Sequence, residues 1–124
     1  VKGAVKKTVT AVHIPASVKW GGITYKVSQV SDGAFKNCKR LKKVTIGKNV
    51  SILGKDSFRG CKKLTKIVVK SVVLKKTGKS AFLKTSKNIK LYVPKNRYVK
   101  YSKKLFQGKG LAGSAKYYKT RKGN

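Results

Sequence analysis

Side chains able to do covalent or acid–base chemistry are scarce in this 124-residue chain. It holds one histidine, His13, two thiols, Cys38 and Cys61, and two carboxylates, Asp32 and Asp56. Nucleophilic catalysis needs a nucleophile with an aligned base, and a general base needs both reach and a suitable pKa. Neither Cys has a His neighbour in sequence, and the two acids are scattered. A metal site would need further ligands, and His13 lies well away from both thiols. Gly108-Lys109-Gly110 lacks the spacing of a phosphate loop. The reading is therefore a non-catalytic protein with no cofactor and no metal.

What the chain has in abundance is positive charge. Lys and Arg number 33 against two acids, a formal net charge of +31. The arginines are only Arg40, Arg59, Arg97 and Arg121. Base-reading proteins rely on the planar Arg fork, whereas Lys acts as a hydrated point charge. Two readings fit this balance: diffuse affinity for polyanions, or solubility and protection of sheet edges. Nucleic acid is expected to bind only non-specifically, since no recognition motif or basic groove interleaved with aromatics is present. No run of about 20 apolar residues exists, so no membrane insertion is expected. The chain begins at Val1 within a Lys/Val pattern and is read as a mature form or a fragment of a longer protein.

The elements that must position these side chains follow from an internal repeat. Phe35-Lys-Asn-Cys38-Lys-Arg-Leu41-Lys-Lys-Val44-Thr-Ile46 recurs as Phe58-Arg-Gly-Cys61-Lys-Lys-Leu64-Thr-Lys-Ile67-Val-Val69, displaced by 23 residues. Phe82 opens a further copy after 24, in which Thr85 replaces Cys and Asn88 replaces Leu. A period of 20–29 with Leu and Ile/Val at fixed offsets is the signature of a leucine-rich-repeat stack. The inward strand residues of the copies give strands at Lys43–Ile46, Lys66–Val69 and Lys90–Val93. One such coil cannot bury its apolar face alone, so neighbouring coils must stack.

The segments around the repeats read as caps. Ile14-Pro-Ala-Ser-Val18 parallels Ile46-Gly-Lys-Asn-Val50, which places Val12 and Ile14 in a degenerate first coil whose strands begin near Val5 and Val9. Residues 18–27 alternate on both sides of Gly21-Gly22, a strong hairpin signal. Trp20 is either a surface aromatic for recognition or a lid over the cap, and packing over the cap is the expectation. Val27 aligns with Val50. Asp56 and Ser80 are expected as N-caps of short helical turns. After Pro94, Tyr98, Tyr101 and Leu105 mark an amphipathic helix ended by Gly108 and Gly110. A last strand within 111–118 and a basic tail follow. The expected boundaries are an N-terminal cap at 1–33, repeats at 34–94 and a C-terminal cap at 95–124, all within one structural domain. The fold class is thus a β-rich α/β solenoid with a hairpin cap and a helix cap.

Cys38 and Cys61 share one repeat offset. Side chains in a ladder point the same way, which suits buried, reduced thiols better than a bridge. Alternation along the strands sends the remaining residues outward. One outward row is His13, Thr45, Val68 and Tyr92; a second is Ala11, Lys43, Lys66 and Lys90; a third is Pro15, Gly47, Lys70 and Pro94. The candidate ligand-binding residues are Lys43, Lys66, Lys90, Lys70, Tyr92, Val68 and His13. Adjacent Lys ammonium groups lie within the ~8 Å Debye length, so an anion placed between them would relieve their repulsion. The alternative is a solvated face on which the Lys stems splay apart.

The pattern of Ala or Ser, Phe, Cys, Leu and Val-x-Ile, with the preceding Ile-Pro-x-x-Val and the Tyr-Lys-Val hairpin strand, resembles the BspA-like leucine-rich repeats of bacterial surface proteins, notably in gut and oral species. The resemblance covers roughly residues 8–94. It implies a curved solenoid, an extracellular or cell-surface location, and binding rather than catalysis. Some members are adhesins for host matrix proteins or other cells. The implied partner is a host or cell-surface protein, with an anionic polysaccharide as the alternative suggested by the lysine row.

Overall fold

The computed structural model describes residues 9–111 and 113–120. The expected strand residue Val5 and the tail residues 121–124 lie outside them. Among the described residues there are ten strands: β1 (Ala11–Ile14), β2 (Ser17–Trp20), β3 (Ile23–Lys26), β4 (Gln29–Val30), β5 (Lys43–Ile46), β6 (Ile52–Leu53), β7 (Lys66–Val69), β8 (Lys76–Thr77), β9 (Lys90–Val93) and β10 (Lys116–Lys119). Strands β1, β5, β7, β9 and β10 form one sheet in that order, every pair parallel. A second parallel ladder, β4-β6-β8, runs along another side of the stack.

The register is the one the repeat dictates. Val12 pairs with Val44 and Ile14 with Ile46, then Val44 with Ile67 and Ile46 with Val69. A constant period puts equivalent residues side by side on successive coils, so every inward side chain meets a copy of itself. Leu41, Val44, Ile46, Leu64, Ile67, Val69, Leu91 and Val93 are all buried in one continuous core.

Phenylalanines form the spine of that core. Phe35 and Phe58 stack with centroids 5.2 Å apart and planes 3° from parallel; Phe58 and Phe82 follow at 5.6 Å and 4°. Each such pair adds about 0.5–1.5 kcal/mol beyond area burial. Phe106 continues the column at 5.5 Å, tilted by 49°. It lies 24 residues after Phe82 and is a fourth copy of the repeat's leading residue. The third copy also slips by one position. Ile89, not Asn88, fills the place of Leu64: Ile89 is fully buried and Asn88 is exposed.

The turns that carry the phenylalanines are not N-capped helical turns. Asp56 and Ser80 adopt φ of 57° and 59°, whereas an N-cap sits in the β region. Two residues beyond each Phe the backbone is again left-handed, at Asn37, Gly60, Lys84 and Gly108. Alternate N–H groups consequently reach the next coil: Gly33, Phe35 and Asn37 donate to the carbonyls of Lys55, Ser57 and Arg59. Asp56, Phe58 and Gly60 donate likewise to Lys79, Ala81 and Leu83. The acids serve this scaffold. An Asp32 carboxylate oxygen accepts from the Lys55 N–H at 2.8 Å, and Asp56 lies 3.6 Å from the Arg59 guanidinium.

The hairpin and the C-terminal helical segment both form, and each differs in detail from the expectation. The hairpin β2–β3 forms with Gly21 and Gly22 at positive φ. Its residues are all exposed, so Trp20 does not cover the cap; Trp20 is 77% exposed. After Pro94 the chain is helical, but it passes through 3₁₀ (Lys95–Arg97), α (Tyr98–Lys100) and π (Tyr101–Leu105) turns. The Phe106 N–H reaches back five residues to the Tyr101 carbonyl. This widened turn sets both Tyr101 and Phe106 into the core. The Tyr101 hydroxyl donates to the Ser71 carbonyl at 2.9 Å and accepts from the Leu74 N–H at 3.1 Å, which fastens the segment to the coils.

Candidate functional site

The outward face of the five-stranded sheet is assembled strand by strand. Parallel pairing sets His13 beside Thr45, Thr45 beside Val68, and Val68 beside Tyr92. The same pairing sets Lys43 beside Lys66 and Lys66 beside Lys90. Neighbouring strands lie about 4.7–4.9 Å apart. Both rows continue further than the sequence reading took them. Strand β10 adds Lys116 beside Lys90 and Tyr118 beside Tyr92. The signal for this extension was Lys116-Tyr-Tyr118, which repeats the spacing of Lys90-Leu-Tyr92.

His13, Lys43, Thr45, Lys66, Val68, Lys70 and Tyr92 surround one depression of about 360 Å³. Lys90 stands outside it, in register next to Lys66. Val68 is only 6% exposed although it points outward, because it lies between Thr45 and Tyr92 in the row. It is therefore the floor of the depression and not a protruding contact. The third expected row is a corner of the coil: Gly47 and Pro94 are buried, Pro15 is half-buried, and Lys70 alone is exposed. Gly47 must be glycine there, since a Cβ would collide with the Ile14 carbonyl of the preceding coil.

Aromatic rings stiffen one side of this face. Tyr92 and Tyr118 stack at 5.2 Å with planes 22° apart, and the Lys66 ammonium lies over the Tyr92 ring at 5.2 Å. A cation held on a ring face is favourable by about 0.5–1 kcal/mol at an exposed site. The arrangement offers an apolar floor, a flat aromatic wall and a rank of ammonium donors. Such a surface can bind a partner carrying anionic and apolar groups.

The groups considered for catalysis do not meet. His13 is exposed on the sheet face, whereas Cys38 and Cys61 are buried in the core without a disulfide. The Cys61 thiol is a donor to the Phe35 carbonyl at 3.1 Å. Burial, chiefly, and the nearby Cys38 push its pKa up from 9.0 to about 12, against a smaller lowering by a backbone hydrogen bond. A thiol so placed is not a nucleophile at neutral pH. Among the described residues, no three His, Cys, Asp or Glu side chains group to hold a metal ion. No helix among them is long and apolar enough to cross a membrane.

Comparison with known proteins agrees with this architecture. A leucine-rich cell surface protein of Faecalibacterium prausnitzii A2-165 superposes with a TM-score of 0.60 at 30% identity, covering 69% of this chain and 23% of that one. A leucine-rich repeat protein of Bacteroides ovatus ATCC 8483 gives a TM-score of 0.48 at 17% identity, over 90% of this chain and 33% of that one. The chain thus spans a third or less of the length of either. No curated protein matches it. The family model for the BspA type leucine rich repeat region matches residues 10–115 in six copies, and the chain belongs to that family.

Proposed function

We propose that the chain is a non-catalytic binding module of a bacterial cell-surface or secreted protein, and that it recognises a protein partner in adhesion through the outward face of β1, β5, β7, β9 and β10. The observation that carries this reading is the depression floored by Val68 and walled by Tyr92, with His13, Lys43, Lys66 and Lys70 around it. Membership of the repeat family supports it, since repeat proteins bind on the face their strands present. The Faecalibacterium relative, described as a cell surface protein, supports the location.

A second reading has its own observation. Lys43, Lys66, Lys90 and Lys116 stand on four successive strands in register. A linear polyanion such as a wall polymer, a glycosaminoglycan or another acidic glycan would cross them at one charge per strand. Binding measured against matrix proteins, heparin and wall polymer at rising salt separates the two. A protein partner gives affinity that tolerates salt and is lost with Tyr92→Ala. Polyanion capture gives affinity that falls steeply with salt through counterion release, and less steeply when Lys43, Lys66 and Lys90 become Ala. Binding unchanged in both variants would refute the sheet face as the site.

A further inference from the structure

The hairpin β2–β3 has two unlike faces. Val18 pairs with Tyr25 and Trp20 with Ile23, so four large apolar side chains share one side. Ser17 pairs with Lys26 and Lys19 with Thr24 on the other. Exposure rises toward the tip: Val18 and Tyr25 at the base are 47% and 45% exposed, Trp20 and Ile23 at the turn 77% and 56%. All eight strand residues are exposed, so the ribbon stands clear of the stack on both faces. A contiguous apolar patch backed by Lys19 and Lys26, on a strongly basic chain, marks an interaction surface.

We propose that this hairpin is a membrane-docking finger that partitions, Trp20 and Ile23 first, into the interface of an anionic bilayer. Charge selects the occupant. A second copy of this chain carries the same +31, so the net charge opposes self-association through the patch. The partner must be anionic and must also accept bare apolar surface. The hairpin is a convex tip with no cleft of its own, and a lipid interface needs no complementary pocket.

Composition and reach agree with a lipid interface. Trp and Tyr are the side chains enriched at the membrane–water boundary. At about 3.3 Å per residue, the outer two residues of each strand extend about 7 Å, and interfacial segments bury their apolar side about 5–10 Å deep. On the opposite side of the ribbon, Lys26 at the base then lies at headgroup depth, and Lys19 nearer the tip reaches that depth by laying its stem along the strand. Backbone groups on the open hairpin edges stay within the hydrated interface, so the finger docks and does not span. Stable attachment takes two signals, and here the apolar tip supplies one and the polybasic body the other.

Trp20 is the chain's single tryptophan, so its emission reports the tip alone. Vesicles of phosphatidylcholine and vesicles containing phosphatidylglycerol are mixed with the protein, and emission and flotation are recorded. The proposal predicts a blue shift and quenching by brominated lipid with phosphatidylglycerol vesicles only. It also predicts that the exposed-site double variant Trp20→Ser, Ile23→Ser, with an unchanged melting temperature, floats with about tenfold or more weaker affinity. Flotation without any shift in Trp20 emission would mean that lysines alone hold the protein, and would overturn it. Equal flotation of the double variant, or an equal blue shift with soluble polyglutamate, would overturn it as well.

Discussion

Tyr101 and Cys61 show how single side chains are committed to the scaffold. The Tyr101 hydroxyl is fully buried and serves two backbone groups of the 71–74 loop. Tyr101→Phe leaves the Ser71 carbonyl and the Leu74 N–H without that partner and should cost about 1–3 kcal/mol in urea unfolding. Cys61 gives a pH signature. Its folded pKa is raised to about 12, so the neutral thiol is favoured in the fold. That contribution is complete below pH 9 and lost as pH climbs from about 9 toward 12, where the unfolded thiol ionises and the folded one does not. Wild type should therefore lose stability relative to Cys61→Ala across that window, and both thiols should resist labelling until the protein unfolds. The commitment of these residues to the core was legible in sequence for the thiols, because both recur at one repeat offset. The double role of Tyr101 was not, because its partners lie about 30 residues away on another coil.

Elements whose pattern repeats were readable; those where two patterns compete were not. Strands β5, β7 and β9 and their register follow directly from a fixed period of 23–24 and inward Val, Ile and Leu. The hairpin was equally plain from alternation around Gly21-Gly22. Phe106 was obscured because it follows a helical spacing of Tyr98, Tyr101 and Leu105, although Phe106-Gln-Gly108 echoes Phe58-Arg-Gly60. Asn88 falls at the core offset by strict counting, which cannot register a one-residue slip. The left-handed turns were hidden because Asp56, Ser80 and Lys84 are not glycine. Lys84, at φ 62°, carries the cost of that conformation without the tolerance of Asn or Asp. Lys84→Gly should stabilise the protein by about 0.5–1 kcal/mol after the extra chain entropy of glycine. Gly78 is the converse: a Cβ there would run into the Lys55 backbone N, so Gly78→Ala should cost about 1–3 kcal/mol. Thermal melts of the two variants should move in opposite directions.

At the scale of the whole molecule, stacking converts scattered letters into a surface. Each coil after the first contributes one lysine to the rank, and all but the first two add a Val or Tyr to the second row; neither rank exists within a single repeat. The sequence points to Lys43, Lys66, Lys90, Lys70, Tyr92, Val68 and His13 as candidates, and the fold gathers all of them except Lys90 around one depression. Val68 as floor needed the three-dimensional stack, whereas the extension through Lys116 and Tyr118 is carried in sequence by the echo of Lys90-Leu-Tyr92 in Lys116-Tyr-Tyr118. A charge of +31 also sets a background that any binding study must separate from specific recognition. Heparin retention should fall linearly in log affinity against log salt, with a slope that shrinks when Lys43, Lys66 and Lys90 are replaced by Ala. The most direct test of the sheet face is a footprint. Side-chain modification of the chain bound to a matrix protein or to heparin should protect Tyr92, Tyr118, Lys43 and Lys66. Protection confined to the 32–37, 55–60 and 79–84 turns, with Tyr92 and Lys66 left as reactive as in the unbound protein, would contradict it.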